Sequence, residues 1–361
     1  MKIRALIISS ITGSAPSIPD AELVTGLHRR GVEVDVMIPG DSPLATRFTD
    51  LGIRVLPSHP RQKFNLKSIL LIRKEIRNRK YHILHLFNTK AIVNGSLAAL
   101  GLPVKVVAYR GAAGMYWYDP TAWLSHLNPR IDILICNSRY VQQHMHRQLL
   151  FRPSKAVMIH KGMDLNWFKN VSPVSRKDLG IPEKAILAGC VANVRRIKGV
   201  PCLLEATRYI RQDLPVHLLL IGNGMDNAKY RRLIGTSPMH DRIHILGYRS
   251  DVYAVIAACD IYIQPSLSES LSRSVMEAMC LGVPCIVSDV GGLVELVDHE
   301  KSGVVVERAH PQALAKAVDR LALDAGLRKA FAGEGIRRMR QIFSVDNMVA
   351  GTLELYRQLV R

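Results

Sequence analysis

No apolar run in the chain approaches the roughly 20 residues that a membrane-spanning helix needs. The six cysteines (Cys136, Cys190, Cys202, Cys259, Cys280 and Cys285) form no C-x-x-C pair and sit mostly within apolar segments. That pattern argues against zinc and disulfides, and for reduced, buried thiols in a cytoplasmic protein. No aspartate-rich loop suits Mg²⁺, so no metal and no cofactor are expected. Aromatic residues make up only 6% of the chain, without an RNP-like pattern or a helix-turn-helix, and no nucleic-acid partner is expected. No internal repeat or low-complexity tract stands out. Acidic residues are scarce in the first half: residues 1–170 hold 24 Lys and Arg against 10 Asp and Glu, and the remainder 25 against 20. Such a field attracts nucleic acid, an anionic membrane or a phosphorylated substrate, and charge alone does not choose.

What is present is a 361-residue chain, 48% hydrophobic and 22% charged, in which short β-branched runs alternate with amphipathic stretches. This is the signature of βα units on parallel sheets. The opening MKIRALIISS is too short and too broken by Ser9 and Ser10 for a secretory signal and reads as a first strand. Strands continue through EVDVMI, RVLPS, ILHLF, KVVAY and DILICN, and the series restarts at AILAGCVA, VHLLLIG, IHILG, IYIQPS, PCIVSD and SGVVVE. The expected class is α/β with two Rossmann-like domains, residues 1–170 and 171–345. Residues 346–361 follow as a terminal helix whose Met348, Leu353, Tyr356 and Leu359 share one face and could pack back on the first domain.

In open α/β sheets, ligands bind beyond the carboxyl ends of strands, where glycines allow close backbone approach and helix amino-termini offer free N–H groups. The second half has several such ends: Gly222-Asn223-Gly224, Gly247, Ser266 and Gly291-Gly292. The stretch SESLSRSVMEAMCLGVPCIVSDVGG, residues 268–292, is expected to start a helix between Ser270 and Arg273. Glu269 then precedes that helix and Glu277 lies about two turns inside it, on the order of 12 Å away or less. The first free N–H groups between them favour a pyrophosphate, small Ser270 and Ser272 leave it room, and ionised carboxylates accept hydrogen bonds from sugar hydroxyls. The alternative is a helix with a capping serine and a surface glutamate. In VANVRRIKGV, Arg195, Arg196 and Lys198 can neutralise phosphates at a strand end or form a solvated turn.

Taken in order, VANVRRIKG, LLLIGNG, IHILGYRSD, ACDIYIQPSLSESLSRSVMEAMCLGVPCIVSDVGGLVELV and SGVVV resemble the family 4 retaining glycosyltransferases of the two-domain GT-B fold. The first half matches more loosely, in GVEVDV, YHILHLF, IDILICNS and AVMIHKGMDLNWF. The resemblance implies two Rossmann-like domains facing a deep cleft, the first choosing an acceptor and the second holding a nucleotide-diphosphate sugar. It implies that Glu269 lies near the donor sugar and Glu277 holds the ribose. Leu271 and Ser272 would meet the pyrophosphate through their backbone, beside Ser270. Lys198, with Arg196, would stabilise the leaving group, while Gly222 and Asn223 line the donor site and Tyr248 and Arg249 bracket the base. The early loop from Thr12 through Gly13 and Ser14 would close over the phosphates.

Three departures from the family pattern stand out. Asn193 occupies a position that usually holds arginine, leaving Arg195 or Arg196 to supply the charge. Gly13 stands alone where a glycine pair is usual. Arg110 and Gly111 replace a His-Gly, and since arginine cannot act as a base at neutral pH, they are read as acceptor-binding residues.

In RQKFNLKSILLIRKEIRNRKYH, Leu66, Ile69, Ile72 and Ile76 form a stripe for the first sheet, while Lys67, Lys74, Arg77 and Lys80 fall elsewhere. Those cations form either a solvated face or a contact with an anionic membrane surface, the second being favoured. The expected protein is cytoplasmic or peripheral on the cytoplasmic face of the membrane. The expected partners are a nucleotide sugar and a glycan or glycolipid acceptor. A nucleotide-sugar epimerase, a non-catalytic relative and a basic nucleic-acid binder are the alternatives.

Overall fold

A computed structural model describes residues 2–150 and 152–361. The chain divides into two compact units, residues 1–163 with 343–361, and residues 164–342. The first carries seven strands: β1 (Arg4–Ile8), β2 (Glu33–Met37), β3 (Arg54–Leu56), β4 (Ile83–Leu86), β5 (Lys105–Arg110), β6 (Ile133–Cys136) and β7 (Ala156–Met158). The second carries six: β8 (Ile186–Val191), β9 (Val216–Ile221), β10 (Ile243–Gly247), β11 (Ile261–Gln264), β12 (Cys285–Ser288) and β13 (Gly303–Val306).

Each sheet is parallel, in the orders β3-β2-β1-β4-β5-β6-β7 and β10-β9-β8-β11-β12-β13. Helices cover both faces, which is why the inner strands read as continuous apolar runs rather than as alternating ones: all four residues of β4, β11 and β12 are buried. Five of the six cysteines are buried and Cys202 is half-buried.

In the first unit, alternate residues of β1 point to opposite cores. Leu6 and Ile8 join the helices Leu66–Arg79, Thr89–Ala98 and Arg139–Gln148, whereas Ala5 and Ile7 join Ile18–Arg29 and the terminal helix Val345–Val360. That terminal helix buries Met348, Val349, Leu353, Leu355 and Tyr356. Gly26 makes room for it, since a Cβ there would lie 2.5 Å from Val349 Cγ2. In the helix Leu66–Arg79, Ile69, Ile72 and Ile76 are buried, but Leu66 is 60% exposed. Leu66 falls outside the expected stripe because it opens the first turn, where the cap Asn65 takes the Ser68 amide and no neighbouring element covers the side chain.

Candidate functional site

In the six-stranded sheet the strand order reverses between β8 and β11. The two connections leaving this pair turn to opposite faces, so their loops part at the carboxyl edge and open a crevice. The loop after β8 turns through a short 3₁₀ segment, Arg196–Lys198, and ends on Gly199. Gly199 has φ +68°, and a Cβ on it would lie 1.7 Å from the carbonyl oxygen of Pro265, so only glycine lets this loop seat against the loop after β11. The Leu267 amide then donates to the Ile197 carbonyl at 2.7 Å. Lys198 Nζ donates to Glu269 Oε2 at 2.5 Å, and Ser266 Oγ reaches the same oxygen at 3.4 Å. Both members of the ion pair are mostly shielded from solvent, with side-chain exposures of 21% and 15%.

The helix beyond this loop spans Arg273–Cys280, with Ser272 as its cap. It starts at the late end of the expected window, so Glu269 lies four residues before it and Glu277 sits about one turn inside, not two. Ser272 does not cap with its side chain. Its hydroxyl turns toward Gln264 Oε1 at 3.5 Å and Ser274 Oγ at 3.2 Å. The first amides of the helix thus carry no side-chain cap, and they keep the partial positive charge that favours an anion. Gly292 closes over this turn: its amide donates to the Glu269 carbonyl at 3.1 Å.

Glu277 is buried on this helix, with Arg273 Nη2 2.6 Å from its Oε1 as an i,i+4 ion pair. Burial raises the Glu277 carboxyl above the usual carboxylate range, and Arg273 opposes that shift only in part. Arg273 also donates to the Tyr253 hydroxyl at 2.9 Å, and the Tyr253 ring meets Phe168 edge-on at 5.2 Å. Neither Arg273 nor Tyr253 figures among the sequence-derived residues. Helical i,i+4 spacing from Glu277 points to Arg273, whereas only folding brings Tyr253 there. Gln264 belongs with them: this fully buried polar residue in an apolar strand ties Ser266 and Ser274 together at 2.9 and 3.0 Å.

The other expected donor-site residues lie along the same carboxyl edge. Gly222, φ +135°, would place a Cβ 2.0 Å from the Ala192 carbonyl oxygen, and the Val194 amide donates to the Asn223 carbonyl at 3.2 Å. Asn193, Arg195 and Arg196 are exposed. Tyr248 is 73% exposed, and Arg249 is engaged by Asp251 at 2.8 and 2.6 Å. Ser270 and Leu271 are half-buried. Among the described residues no group of three or more His, Cys, Asp or Glu is placed to hold a metal ion.

Within the first unit, Gly13 has φ +72° and a Cβ there would lie 2.6 Å from Pro43 Cγ; the hydroxyls of Thr12 and Ser14 lie 2.8 Å apart. At the end of β5, Arg110 turns its guanidinium beneath the following segment: Nη2 donates to the Ala113 carbonyl at 3.1 Å and Nε is buried without a hydrogen-bond partner. The Gly111 carbonyl accepts from Asn137 Nδ2 at 3.2 Å.

The family model described as Glycosyl transferases group 1 matches residues 171–338, and that described as Glycosyltransferase Family 4 matches residues 21–167. A D-inositol 3-phosphate glycosyltransferase of Salinispora arenicola is 30% identical over 227 residues, which span 58% of this chain and 50% of that protein. An Escherichia coli UDP-Gal:alpha-D-GlcNAc-diphosphoundecaprenol alpha-1,3-galactosyltransferase is 27% identical over 259 residues, 67% of each chain. The chain thus spans about half the length of the first relative and 67% of the second. Among solved structures, a glycosyltransferase from Rickettsia africae superposes with a TM-score of 0.82 at 19% identity, covering 100% of this chain and 99% of the other. Anabaena HepE in complex with UDP does so with 0.78 at 21% identity, covering 99% and 100%. With one model on each unit and a fold shared end to end with solved glycosyltransferases, the chain belongs to the family 4 glycosyltransferases of the GT-B fold.

Proposed function

We propose that the protein is a retaining glycosyltransferase that moves a sugar from a nucleotide-diphosphate donor, a UDP-sugar, to a hydroxyl of a glycan or lipid-linked glycan. The observation that carries this reading is the meeting of Lys198 and Glu269 beside an uncapped helix start, with buried Glu277 one turn further on. A diphosphate fits the uncapped amides and the cation of Lys198, with Arg196 and Arg195 exposed on the same loop. Glu277 would accept from the ribose hydroxyls, Glu269 would lie at the donor sugar, and Tyr248 with Arg249 would flank the base. Gly13 and Ser14 would meet the phosphates, and the first unit would select the acceptor, through Arg110 and Gly111 if Arg110 leaves the Ala113 carbonyl. The UDP-sugar follows the UDP-galactose for which the Escherichia coli relative is named and the UDP and UDP-glucose bound in the Anabaena structures.

Chemically, front-face substitution suits a site of this kind. The bond from the anomeric carbon to the acceptor oxygen forms on the face from which the diphosphate departs, and the acceptor proton passes to a leaving diphosphate oxygen. No side-chain base is then required, and Lys198 and Arg196 would stabilise the charge that grows on the leaving group. The basic first unit suits an enzyme working at the cytoplasmic face of a membrane on a lipid-linked acceptor.

The test is incubation with UDP-, GDP- and ADP-sugars, with and without glycan acceptors. Transfer with the anomeric configuration of the donor kept is expected. Inversion overturns the retaining assignment, and conversion of the donor sugar without acceptor identifies an epimerase instead.

A further inference from the structure

Among the described residues, all ten large hydrophobic side chains that the first unit leaves exposed come from elements packed on one face of its sheet. They fall mainly into two groups. Phe64, Leu66 and Leu70 lie on and just before the first half of the helix Leu66–Arg79. Tyr116, Trp117, Tyr118, Trp123 and Leu124 lie on the segment that follows β5, where Tyr118 is 66% and Leu124 63% exposed. The helices of the opposite face, Ile18–Arg29, Ala45–Asp50 and Val345–Val360, contribute none.

The aromatic group is held in place rather than left loose. Tyr116 and Tyr118 stack with centroids 5.3 Å apart, and Tyr116 meets His144 edge-on at 5.5 Å. Trp123 Nε1 donates to the Trp117 carbonyl at 2.7 Å, and the Trp117 amide donates to Gln148 Oε1 at 3.0 Å. Beside it a groove of about 340 Å³ runs between Trp123, Leu127, Leu149 and Leu150, with Arg152 and Lys155 in its walls.

The charge of this face is one-sided. The stretches that build it, residues 61–80, 89–102, 111–131 and 139–155, hold 14 Lys and Arg against two acidic residues. Both acids are occupied: Glu75 pairs with Arg54 at 2.7 Å, and Asp119 caps its helix by accepting from the Thr121 amide at 2.8 Å. Of the cations, Arg79 pairs with Glu33 at 3.3 Å and Arg130 with Asp132 at 3.0 Å, acids outside these stretches, so the face keeps a large positive surplus. Tryptophan and tyrosine favour the boundary between hydrocarbon and water, where the ring is buried and the polar edge stays wet. Lysine and arginine nearby are drawn to anionic headgroups. Here the two occur together on a single face, and Lys63 and Lys67 interleave with Phe64, Leu66 and Leu70.

We propose that this face of the first unit is a docking surface for an anionic lipid bilayer, with the aromatic segment and the first half of the Leu66–Arg79 helix seated in the headgroup layer. The inference deepens the reading of a lipid-linked acceptor given above. Lipid binding is measured without any sugar, however, so the two fail separately.

Flotation of the full chain with vesicles of phosphatidylcholine, alone or mixed with phosphatidylglycerol, tests it. Binding to the mixed vesicles and not to the neutral ones is expected, with a blue shift of tryptophan emission. Tyr118→Ser/Leu124→Ser, at two exposed positions, should lower partitioning at least tenfold, by analogy with the loss of roughly two buried apolar side chains. Lys63→Ala/Lys67→Ala should lower it on the order of 30-fold, about fivefold per charge. Hydrolysis of a UDP-sugar in solution should be unchanged in both variants. Equal flotation of wild type and both variants overturns the proposal. So does a lipid-free dimer in sedimentation equilibrium that Tyr118→Ser/Leu124→Ser dissociates, since the face then serves a second copy of the chain.

Discussion

A Cβ placed on Gly292 would lie 1.6 Å from the carbonyl oxygen of Ser270. Gly292 itself has φ −80°, which any residue can adopt, so its requirement here is purely for space. Gly292→Ala should therefore push back the loop that opens the helix Arg273–Cys280, at a cost of about 1–3 kcal/mol. Part of that cost should appear as weaker nucleoside diphosphate binding. Calorimetric titration with UDP alongside thermal melting checks it, and unchanged UDP affinity would show that the turn is not part of the donor site.

The Lys198–Glu269 pair sets up a second outcome. If Lys198 meets the leaving diphosphate, Lys198→Ala should lower kcat by roughly 10²–10³ with a smaller change in donor KM, because the charge it opposes grows only as the bond breaks. Lys198→Arg should restore part of the rate. Steady-state kinetics separates this from a structural role, in which the melting temperature would fall while kcat of the folded fraction stayed level.

Glu277 makes the acid–base behaviour of the second unit depend on its burial. Its folded pKa is raised, so in the window above the unfolded value the native protein holds a proton that the unfolded chain has released. Stability from this group is therefore greatest below the unfolded value and falls as pH rises through the folded one. Glu277→Gln should flatten that fall in a series of melts across the acidic range. The same variant should weaken UDP binding by about 10- to 100-fold if the carboxylate accepts from the ribose, as expected for a hydrogen bond to a charged group.

In the first unit, His85 Nδ1 lies 2.7 Å from the Tyr356 hydroxyl, fastening the terminal helix to β4. Tyr356→Phe strands a buried ring nitrogen and should cost about 1–3 kcal/mol, read as a lower melting temperature. Burial pushes the pKa of His85, and that of His126, down to about 3 from 6.5. As pH drops from 6.5 toward 3, the unfolded histidines take up protons that the folded ones refuse. Stability should decline across that window, and replacing His126 with glutamine should reduce the slope.

The division between what sequence and folding each decide runs along the range of the interactions involved. Local chemistry fixes the parallel-sheet class, because β-branched runs separated by helical stretches can pack only as βα units. It also marks Gly222 and Gly292 at strand ends, and Glu269 and Glu277 around a helix start, since these depend on neighbours a few residues away. Where distant segments must meet, the sequence is silent. Only packing shows that Gly292 covers Ser270, that Tyr253 and Arg273 surround Glu277, and that Arg110 bends beneath the segment after β5 to meet the Ala113 carbonyl. The same holds for Leu66, whose periodicity suits the core but whose place in the first turn leaves it in solvent. Helical period tells which residues share a face. Whether another element lies over that face depends on contacts between residues far apart in the chain, and those exist only once the sheet has formed.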